Sequence, residues 1–230
     1  MTRITFPIFI FAICFTLSTF TLSSQVEVPG LIRLKNPSFE DKPKTGSPPK
    51  DWLDCGFTGE TGPDVHPGGF WEVKTEPLDG NTYLGMVVRS SDTWERVSQL
   101  LEKPMQSGQC YSLSIFMSRT SHYISGLRDQ PEGSFTPVNF IKPCILRIWG
   151  GNENCGRAEL LAQSPPVDNE EWKEYILTLK PKKNYSYLML EAFYVQPVAV
   201  PYNGHILLDF ASDLIPMDCA KHKVTTKNKM

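Results

Sequence analysis

Several signatures of enzymes and metal sites are absent from this 230-residue sequence. It contains no G-x-S-x-G motif and no H-E-x-x-H motif, which leaves out two common hydrolase arrangements. It has no C-x-x-C pair and only four scattered histidines, which argues against a structural zinc site. Helical periodicity is scarce, and no repeat of fixed period occurs. The formal net charge is -2, so nothing indicates a nucleic acid partner.

The start of the chain differs in composition from the rest. Arg3 supplies a positive charge, Ile4–Phe20 is mostly apolar, and small residues precede Gln25. This order predicts a secretory signal peptide over residues 1–24. The alternative is an uncleaved membrane anchor, but the apolar run is short and is interrupted by Pro7. We therefore expect an exported protein, secreted or at the cell surface, with the periplasm as another possibility and no membrane span in the mature form.

The remaining chain is long enough for one large β domain. No linker rich in Pro, Ser and Gly divides it. We expect a single domain over residues 25–219. Residues 220–230 are basic and polar, and they predict a disordered, solvated tail.

The cysteine count predicts disulfides. Of six cysteines, Cys14 falls in the predicted signal peptide, and five remain: Cys55, Cys110, Cys144, Cys155 and Cys219. Export to an oxidising compartment favours disulfides, and the odd number leaves at least one thiol unpaired. The pairing can be drawn in many ways. The sequence favours Cys144–Cys155, which would close a small loop around Trp149-Gly150-Gly151.

Strand signals dominate the mature chain. Short alternating segments occur at Leu31–Leu34, Trp71–Thr75, Tyr83–Arg89, Arg96–Leu101, Tyr111–Ser118, Ile145–Trp149, Ala158–Ala162, Tyr175–Leu179, Tyr187–Val195 and Ile206–Phe210. Pro and Gly separate them, and Pro43–Lys50 is predicted to be a loop. The pattern predicts an all-β fold, a two-sheet antiparallel β-sandwich of jelly-roll type. Thr120–Pro143 reads as a long polar insertion, which in a compact domain is usually functional or mobile.

Alternation along the predicted strands groups polar and aromatic side chains on shared faces. One strand places Glu95 and Gln99 on the same side. A second places Arg147 beside Trp149, and a third places Glu191 on a side with an aromatic ring. Rings stack on the C–H faces of a pyranose, while carboxylates, amides and guanidinium groups bond its hydroxyls. Such a face has the chemistry of sugar recognition.

Four short motifs occur in a fixed order along the chain: Asn36–Glu40, Trp52, Asp79-Gly80-Asn81 and Leu207–Asp209. With them the chain resembles secreted carbohydrate-binding modules of the galactose-binding-like jelly-roll superfamily, families 4, 9 and 22. The spacing of Gly108 and Tyr111 after Trp94 also matches, and the resemblance covers nearly the whole mature chain. Trp149-Gly150-Gly151 and the long insertion further resemble stand-alone jelly-roll proteins of Bacteroidota.

The resemblance implies a structural calcium ion where the first and last strands meet. By matching position, Glu40 and Asp209 would supply side-chain oxygens, and Ser38, Asp79 and Thr82 would supply backbone carbonyls. Hard oxygen ligands from several segments suit calcium, and binding would tie the chain ends together. The alternative is that Glu40 and Asp209 only cap turns.

The resemblance also places Trp94 as a stacking residue on a concave sheet face, whereas Trp52 and Trp172 match core positions. Trp149 is either a ligand platform or core packed on a disulfide, and Arg147 with Glu191 is either a binding pair or a structural ion pair. The candidate set for carbohydrate binding is Trp94, Glu95, Gln99, Arg147, Trp149 and Glu191. Some family members carry a binding carboxylate three residues after the tryptophan, where this chain has Val97, so their xylan or glucan specificity is not implied.

These observations favour a secreted, non-catalytic module that binds a polysaccharide or other glycan. One alternative is an adhesion or assembly component of the cell envelope, which would bind another protein through the insertion at 120–143 and its Tyr123, Phe135 and Phe140. Another is a glycan-active enzyme, a hydrolase, lyase or esterase, with Glu95 and Glu191 as its acid and base.

Overall fold

The chain folds into two packed antiparallel β-sheets. The computed structural model describes residues 28–126, 136–221 and 225–228, and the predicted signal peptide lies outside these ranges. The strands within them are β1 Lys44–Gly46, β2 Leu53–Asp54, β3 Gly62–His66, β4 Tyr83–Val88, β5 Arg96–Met105, β6 Cys110–Ser118, β7 Ile124–Gly126, β8 Pro137–Asn139, β9 Cys144–Gly151, β10 Glu159–Gln163, β11 Lys173–Leu179, β12 Tyr185–Tyr194, β13 Gly204–Asp209, β14 Ile215–Met217 and β15 Thr225–Asn228. One short 3₁₀-helix spans Cys219–Lys221.

The two large sheets differ in their number of strands. The eight-stranded sheet has the order β1-β3-β4-β13-β6-β11-β15, with β14 also paired to β6. The five-stranded sheet has the order β10-β9-β12-β5-β2, and β7 and β8 form a separate hairpin. Every pairing between these strands is antiparallel. The predicted two-sheet antiparallel β-sandwich is confirmed.

The main core lies between the sheets. Because side chains alternate along a strand, every second residue points inward. In β6 the inward residues include Leu113 and Ile115, and in β12 they include Leu188, Leu190 and Ala192, all of them buried. This inward set leaves the intervening residues of β12 on the outer side of the five-stranded sheet, where the candidate site forms.

A second core covers the outer side of the eight-stranded sheet. Tyr83, Val87 and Leu207 point away from the main core and pack against Tyr123 and Phe140 of the insertion. Both insertion residues are 3% exposed, so neither is open to a partner protein. The described part of the insertion therefore covers the sheet, and Tyr123 and Phe140 are not available as the predicted contact residues. Phe135 lies outside the described residues.

Polar side chains are buried beneath this cover. His66 in β3 and His205 in β13 approach each other across β4, and a Cβ at Gly85 would lie 2.7 Å from Nε2 of each ring. Glycine is therefore required at this position. Burial lowers the pKa of His66 to about 4 and the pKa of His205 well below its usual range, so both rings are neutral at pH 7. The Tyr123 hydroxyl donates a hydrogen bond to Asp64 Oδ2 at 2.8 Å.

Most predicted strands match the observed ones, and the differences lie at sheet edges. Leu31–Leu34 contributes an isolated bridge from Ile32 to Leu214, and Trp71–Thr75 contributes one from Val73 to Gly68. Strand β1 forms inside the segment predicted to be a loop. Thr225–Asn228 pairs with β11 as an edge strand, which the expectation of a solvated tail did not anticipate.

The two disulfides are Cys55–Cys155 and Cys110–Cys219, and Cys144 is a buried free thiol. The predicted pair Cys144–Cys155 is wrong. Cys144 begins β9 and Cys155 lies beyond its other end, so the strand separates them by roughly 23 Å at 3.3 Å per residue. A disulfide needs Cα atoms within about 7 Å.

The two disulfides agree with an oxidising extracellular compartment. Within the described ranges, no helix has the length and apolar character needed to cross a membrane.

Candidate functional site

The outer side of the five-stranded sheet carries a row of polar side chains. Arg96 in β5 lies opposite Glu191 in β12, and Glu191 lies opposite Arg147 in β9. Gln163 in β10 extends this row, because it pairs with Arg147. We call Arg96, Glu191, Arg147 and Gln163 the polar row.

An adjacent row is largely apolar and reaches solvent at both edges. It runs in register through Leu53, Ser98, Met189, Trp149 and Leu160. Leu53 is 45% exposed and Leu160 is 41% exposed. Ser98, Met189 and Glu191, in the middle of the two rows, are buried, and the exposed residues lie at the edges. We call the two rows together the outer face.

Glu191 is the centre of the outer face and is fully buried. Its Oε1 accepts hydrogen bonds from Trp94 Nε1 at 2.9 Å and from Arg157 Nη1 at 3.0 Å. Its Oε2 accepts one from Trp149 Nε1 at 2.8 Å, and Arg147 Nη1 lies 3.9 Å away. A buried carboxylate requires such partners to offset its lost hydration. One carboxylate therefore fixes two tryptophans and one arginine at the surface, with a second arginine close by.

Guanidinium groups lie over aromatic rings on the same face. The Arg147 guanidinium is 3.4 Å from the centre of the Phe193 ring, and that of Arg157 is 5.6 Å from the Trp149 ring. These are cation–π distances, and the contacts restrict the long side chains to few rotamers. Trp149 itself is half-buried on this face. Its half-buried position and its bond to Glu191 leave both predicted roles, ligand platform and packed core, as predictions.

A disulfide holds the edge of the site together. Cys55 precedes Phe57 by two residues, and Cys155 precedes Arg157 by two residues. The Phe57 ring lies 4.9 Å from the Arg96 guanidinium. A shallow depression of about 350 Å³ adjoins Arg157, lined by Gly151, Asn152, Glu153, Gly156, Arg157 and Ala158. The disulfide thus fastens the loop that carries Arg157 to the segment that carries Phe57.

Four of the six predicted binding residues meet on the outer face: Trp94, Arg147, Trp149 and Glu191. Glu95 and Gln99 do not. Both are 1% exposed, because their side of the strand is the one that contributes Val97 to the core. The Gln99 amide instead bonds the backbone of Lys35.

Glu95 belongs to a separate buried pair. Its carboxylate forms an ion pair with Arg89 and accepts a hydrogen bond from the Val87 backbone N–H at 3.0 Å. It lies on the inward side of the sheet, whereas Glu191 lies on the outer side. The predicted acid/base pair of Glu95 and Glu191 is therefore not assembled at one site.

Sequence reasoning missed three residues of the outer face: Phe57, Arg96 and Arg157. Arg96 follows from alternation once the buried side of β5 is known, since it points opposite to Val97. Phe57 and Arg157 lie outside the strands and come to the site through the disulfide. The alternation of side chains along a strand therefore could not identify Phe57 and Arg157 as residues of the outer face.

The predicted metal residues lie around one turn between β3 and β4. Glu40 Oε1 accepts hydrogen bonds from the backbone N–H groups of Asn81 and Thr82, at 2.8 and 3.1 Å. Asp209 Oδ2 accepts those of Leu78 and Asp79, at 2.8 and 3.1 Å. Both carboxylates therefore cap this turn and join it to distant parts of the chain.

The same turn brings further oxygens close together. The Ser38 hydroxyl donates to Asp79 Oδ2 at 2.8 Å, and the Thr82 hydroxyl donates to the Phe39 carbonyl at 3.2 Å. Burial raises the pKa of Asp209 to about 6, and the neighbouring Asp79 carboxylate adds to this effect. Among the described residues, no group of three or more His, Cys, Asp and Glu side chains is arranged to hold a metal ion.

No protein-family model matches the chain, and no curated protein matches it. The solved structures with a distant similarity include the following three. The enzymatically active domain of bacteriophage CBA120 tailspike protein 4 is 10% identical with a TM-score of 0.40, covering 72% of this chain and only 20% of the tailspike chain. The cleaved adhesin domain of Lys-gingipain from Porphyromonas gingivalis is 10% identical with a TM-score of 0.41, covering 72% and 90%. The CBM22-1 xylan-binding domain from Paenibacillus barcinonensis Xyn10C is 15% identical with a TM-score of 0.43, covering 79% and 93%. These similarities are too distant to assign a function.

Proposed function

We propose that this chain is an exported carbohydrate-binding domain that holds a glycan on the outer face of its five-stranded sheet. The observation that carries the proposal is the arrangement around Glu191. Trp94 and Trp149 are both fixed by the same buried carboxylate, beside Arg147 and Arg157. A partly exposed aromatic ring and nearby hydrogen-bond donors are the groups that bind a sugar ring.

The fixed geometry favours binding because little freedom is lost when a ligand arrives. The Trp149 indole is anchored at its N–H, and the arginines are held by ion pairs and ring contacts. Ordering a free side chain on binding costs about 0.5–1.5 kcal/mol. A ligand would contact only the partly exposed groups of this face and the shallow depression beside Arg157, so we expect weak affinity for one sugar unit and stronger binding for a long polymer.

Trp149→Ala is expected to weaken glycan binding at least about tenfold, or about 1.4 kcal/mol, because it removes the ring proposed to stack on the ligand. Trp149 is preferred to Trp94 for this test because Trp94 also packs against the main core. The measurement is a glycan array followed by titration of the best ligand by isothermal calorimetry.

The matched control is Phe70→Ala. Phe70 is 73% exposed and contacts Trp71, away from the outer face. The Phe70→Ala variant should bind the glycan as the native protein does. If Trp149→Ala bound the glycan as tightly as the native protein, the outer face would be excluded as the binding site. An array without signal would favour a protein partner. Product release from a glycan would favour an enzyme.

A structural calcium ion at the turn that joins Glu40 and Asp209 is part of the same proposal. What supports it is that the Glu40 and Asp209 carboxylates both bond the turn that contains Asp79, although the three side chains do not form a cluster able to hold a metal by themselves. Their hydrogen bonds already use several oxygens, so backbone carbonyls would have to supply much of the coordination. The ion would act on stability by linking distant segments, with no part in glycan contact.

Calcium at about 100 times its dissociation constant is expected to raise the melting temperature by roughly 5–10 °C. This follows from a gain of about 2.7 kcal/mol and a shift of about 2–4 °C per kcal/mol. The measurement is a circular dichroism melt with calcium chloride and with EGTA. The difference should vanish in Asp209→Asn. Identical melting of the native protein under both conditions would show that the carboxylates only cap the turn.

A further inference from the structure

Positive charge exceeds negative charge immediately around Glu191. Three guanidinium groups, those of Arg96, Arg147 and Arg157, surround this single buried carboxylate. Two further acids lie at the margins of the face: Asp54 on the edge strand β2, whose charge acts on Arg96, and Glu153, which lines the depression beside Arg157. The excess of positive charge is therefore local to the three guanidinium groups.

The guanidinium groups of Arg96 and Arg147 are partly buried, so water solvates their charges poorly. Burial lowers the pKa of Arg96 and of Arg147, and the charge of Arg157 lowers both further. The Nε of Arg96 is buried and makes no hydrogen bond within the described part of the chain. A buried donor without a partner costs about 1–3 kcal/mol. The arginines are thus partly dehydrated and repel one another, and the Nε of Arg96 lacks an acceptor among the described residues.

Arginine is suited to bind planar and tetrahedral anions. Its donors lie in a rigid fork that matches a carboxylate or sulfate, and bonds between charged partners are about twice as strong as neutral ones. The side chain of Arg157 is 40% exposed and that of Arg147 is 18% exposed, so both are accessible from the surface. Trp149 lies beneath Arg157, which places a stacking ring beside the cations.

We infer that the outer face selects acidic glycans, whose carboxylate or sulfate groups are bound by Arg96, Arg147 and Arg157 while a sugar ring packs on Trp149. This inference rests on the proposed carbohydrate binding and specifies its ligand class. The neutral glycan of the same backbone would bring no anionic acceptor to the three arginines, and the Arg96 Nε would keep no partner within the described part of the chain.

The test compares pairs of polymers that share a backbone and differ in the acidic group. Polygalacturonate and its fully methyl-esterified form test the carboxylate, and κ-carrageenan and its desulfated form test the sulfate. Affinity gel electrophoresis and calorimetry measure binding in 50 mM and 500 mM sodium chloride. We expect one acidic polymer to bind at least about tenfold more tightly than its neutral partner at low salt. The difference should shrink at high salt.

Arg157→Gln separates charge recognition from stacking. Arg157 lies in an exposed loop, and its replacement should reduce binding of the acidic polymer about tenfold while leaving the neutral one little changed. Trp149→Ala should weaken binding of both. The matched control is Lys74→Gln, which removes one charge beside Thr120 and His122, away from the five-stranded sheet. It should bind both polymers as the native protein does, and melting curves establish that each variant is folded.

The outcomes distinguish this inference from the proposed function. Equal affinity for acidic and neutral partners, with loss in Trp149→Ala, would overturn the acidic preference and leave carbohydrate binding standing. An equal effect of Arg157→Gln and Lys74→Gln would assign the preference to general charge and overturn the arginine site. Failure to bind any polymer would overturn both.

Discussion

Replacing Glu191 with alanine is expected to lower the free energy of unfolding by about 3 kcal/mol. The carboxylate is fully buried and accepts hydrogen bonds from Trp94, Trp149 and Arg157. Its loss leaves these donors and the neighbouring Arg147 without their acceptor, and breaking such a pair typically costs about 3–5 kcal/mol. We place the effect at the lower end because the Arg157 side chain is 40% exposed and water screens it.

Urea denaturation followed by circular dichroism measures this effect. The control is Glu102→Ala, an exposed glutamate of the same sheet, for which a change below about 0.5 kcal/mol is expected. Glu191→Gln retains one acceptor oxygen and should fall between the two. A Glu191→Ala variant within about 1 kcal/mol of the native protein would mean that the carboxylate does not organise the outer face.

Replacing both Cys55 and Cys155 with serine is expected to lower the free energy of unfolding by up to about 4–5 kcal/mol. The same change is expected to weaken glycan binding. The cysteines are 100 residues apart, and closing a loop of that length stabilises by about 4.7 kcal/mol in the chain-entropy treatment. Binding should weaken because this disulfide fixes the loop that carries Arg157. The stability change is measured by urea denaturation and the affinity by calorimetry below the melting temperature.

The second disulfide provides the matched comparison. Cys110–Cys219 closes a loop of similar length, 109 residues, but it joins β6 to the 3₁₀-helix, away from the outer face. Its removal should cost similar stability and leave the affinity of the folded protein unchanged. Equal loss of affinity in both double variants would show that the first disulfide has no specific role in positioning Arg157.

The sequence pattern predicted the sandwich and part of the site, for a physical reason. Alternation with period two correctly grouped Arg147 with Trp149, and these residues share the outer face with Glu191. Alternation cannot tell which of two faces is buried when both carry polar residues. Glu95 and Gln99 were therefore assigned to the outer face, although their side of the strand packs inward with Val97.

Contacts between distant parts of the chain were harder to predict. Proximity in sequence favoured Cys144–Cys155, but a strand between the two cysteines holds them apart. Cys55 follows β2 and Cys155 follows β9, and the disulfide joins them although β5 and β12 lie between those strands in the sheet. Arg157, two residues after Cys155, also reaches Glu191 from outside the strands. The insertion likewise read as a polar loop, since nothing in its own residues shows that Tyr123 and Phe140 pack on the sheet.

The shared anchoring of Trp94 and Trp149 gives the outer face an optical property. Two of the five tryptophans donate their indole N–H groups to one carboxylate beside charged guanidinium groups. Indole emission depends on the local electric field, so a ligand that displaces Glu191 or neutralises the arginines would change the intrinsic fluorescence without any added label. The residue that organises the site thereby makes its occupancy visible in an ordinary emission spectrum.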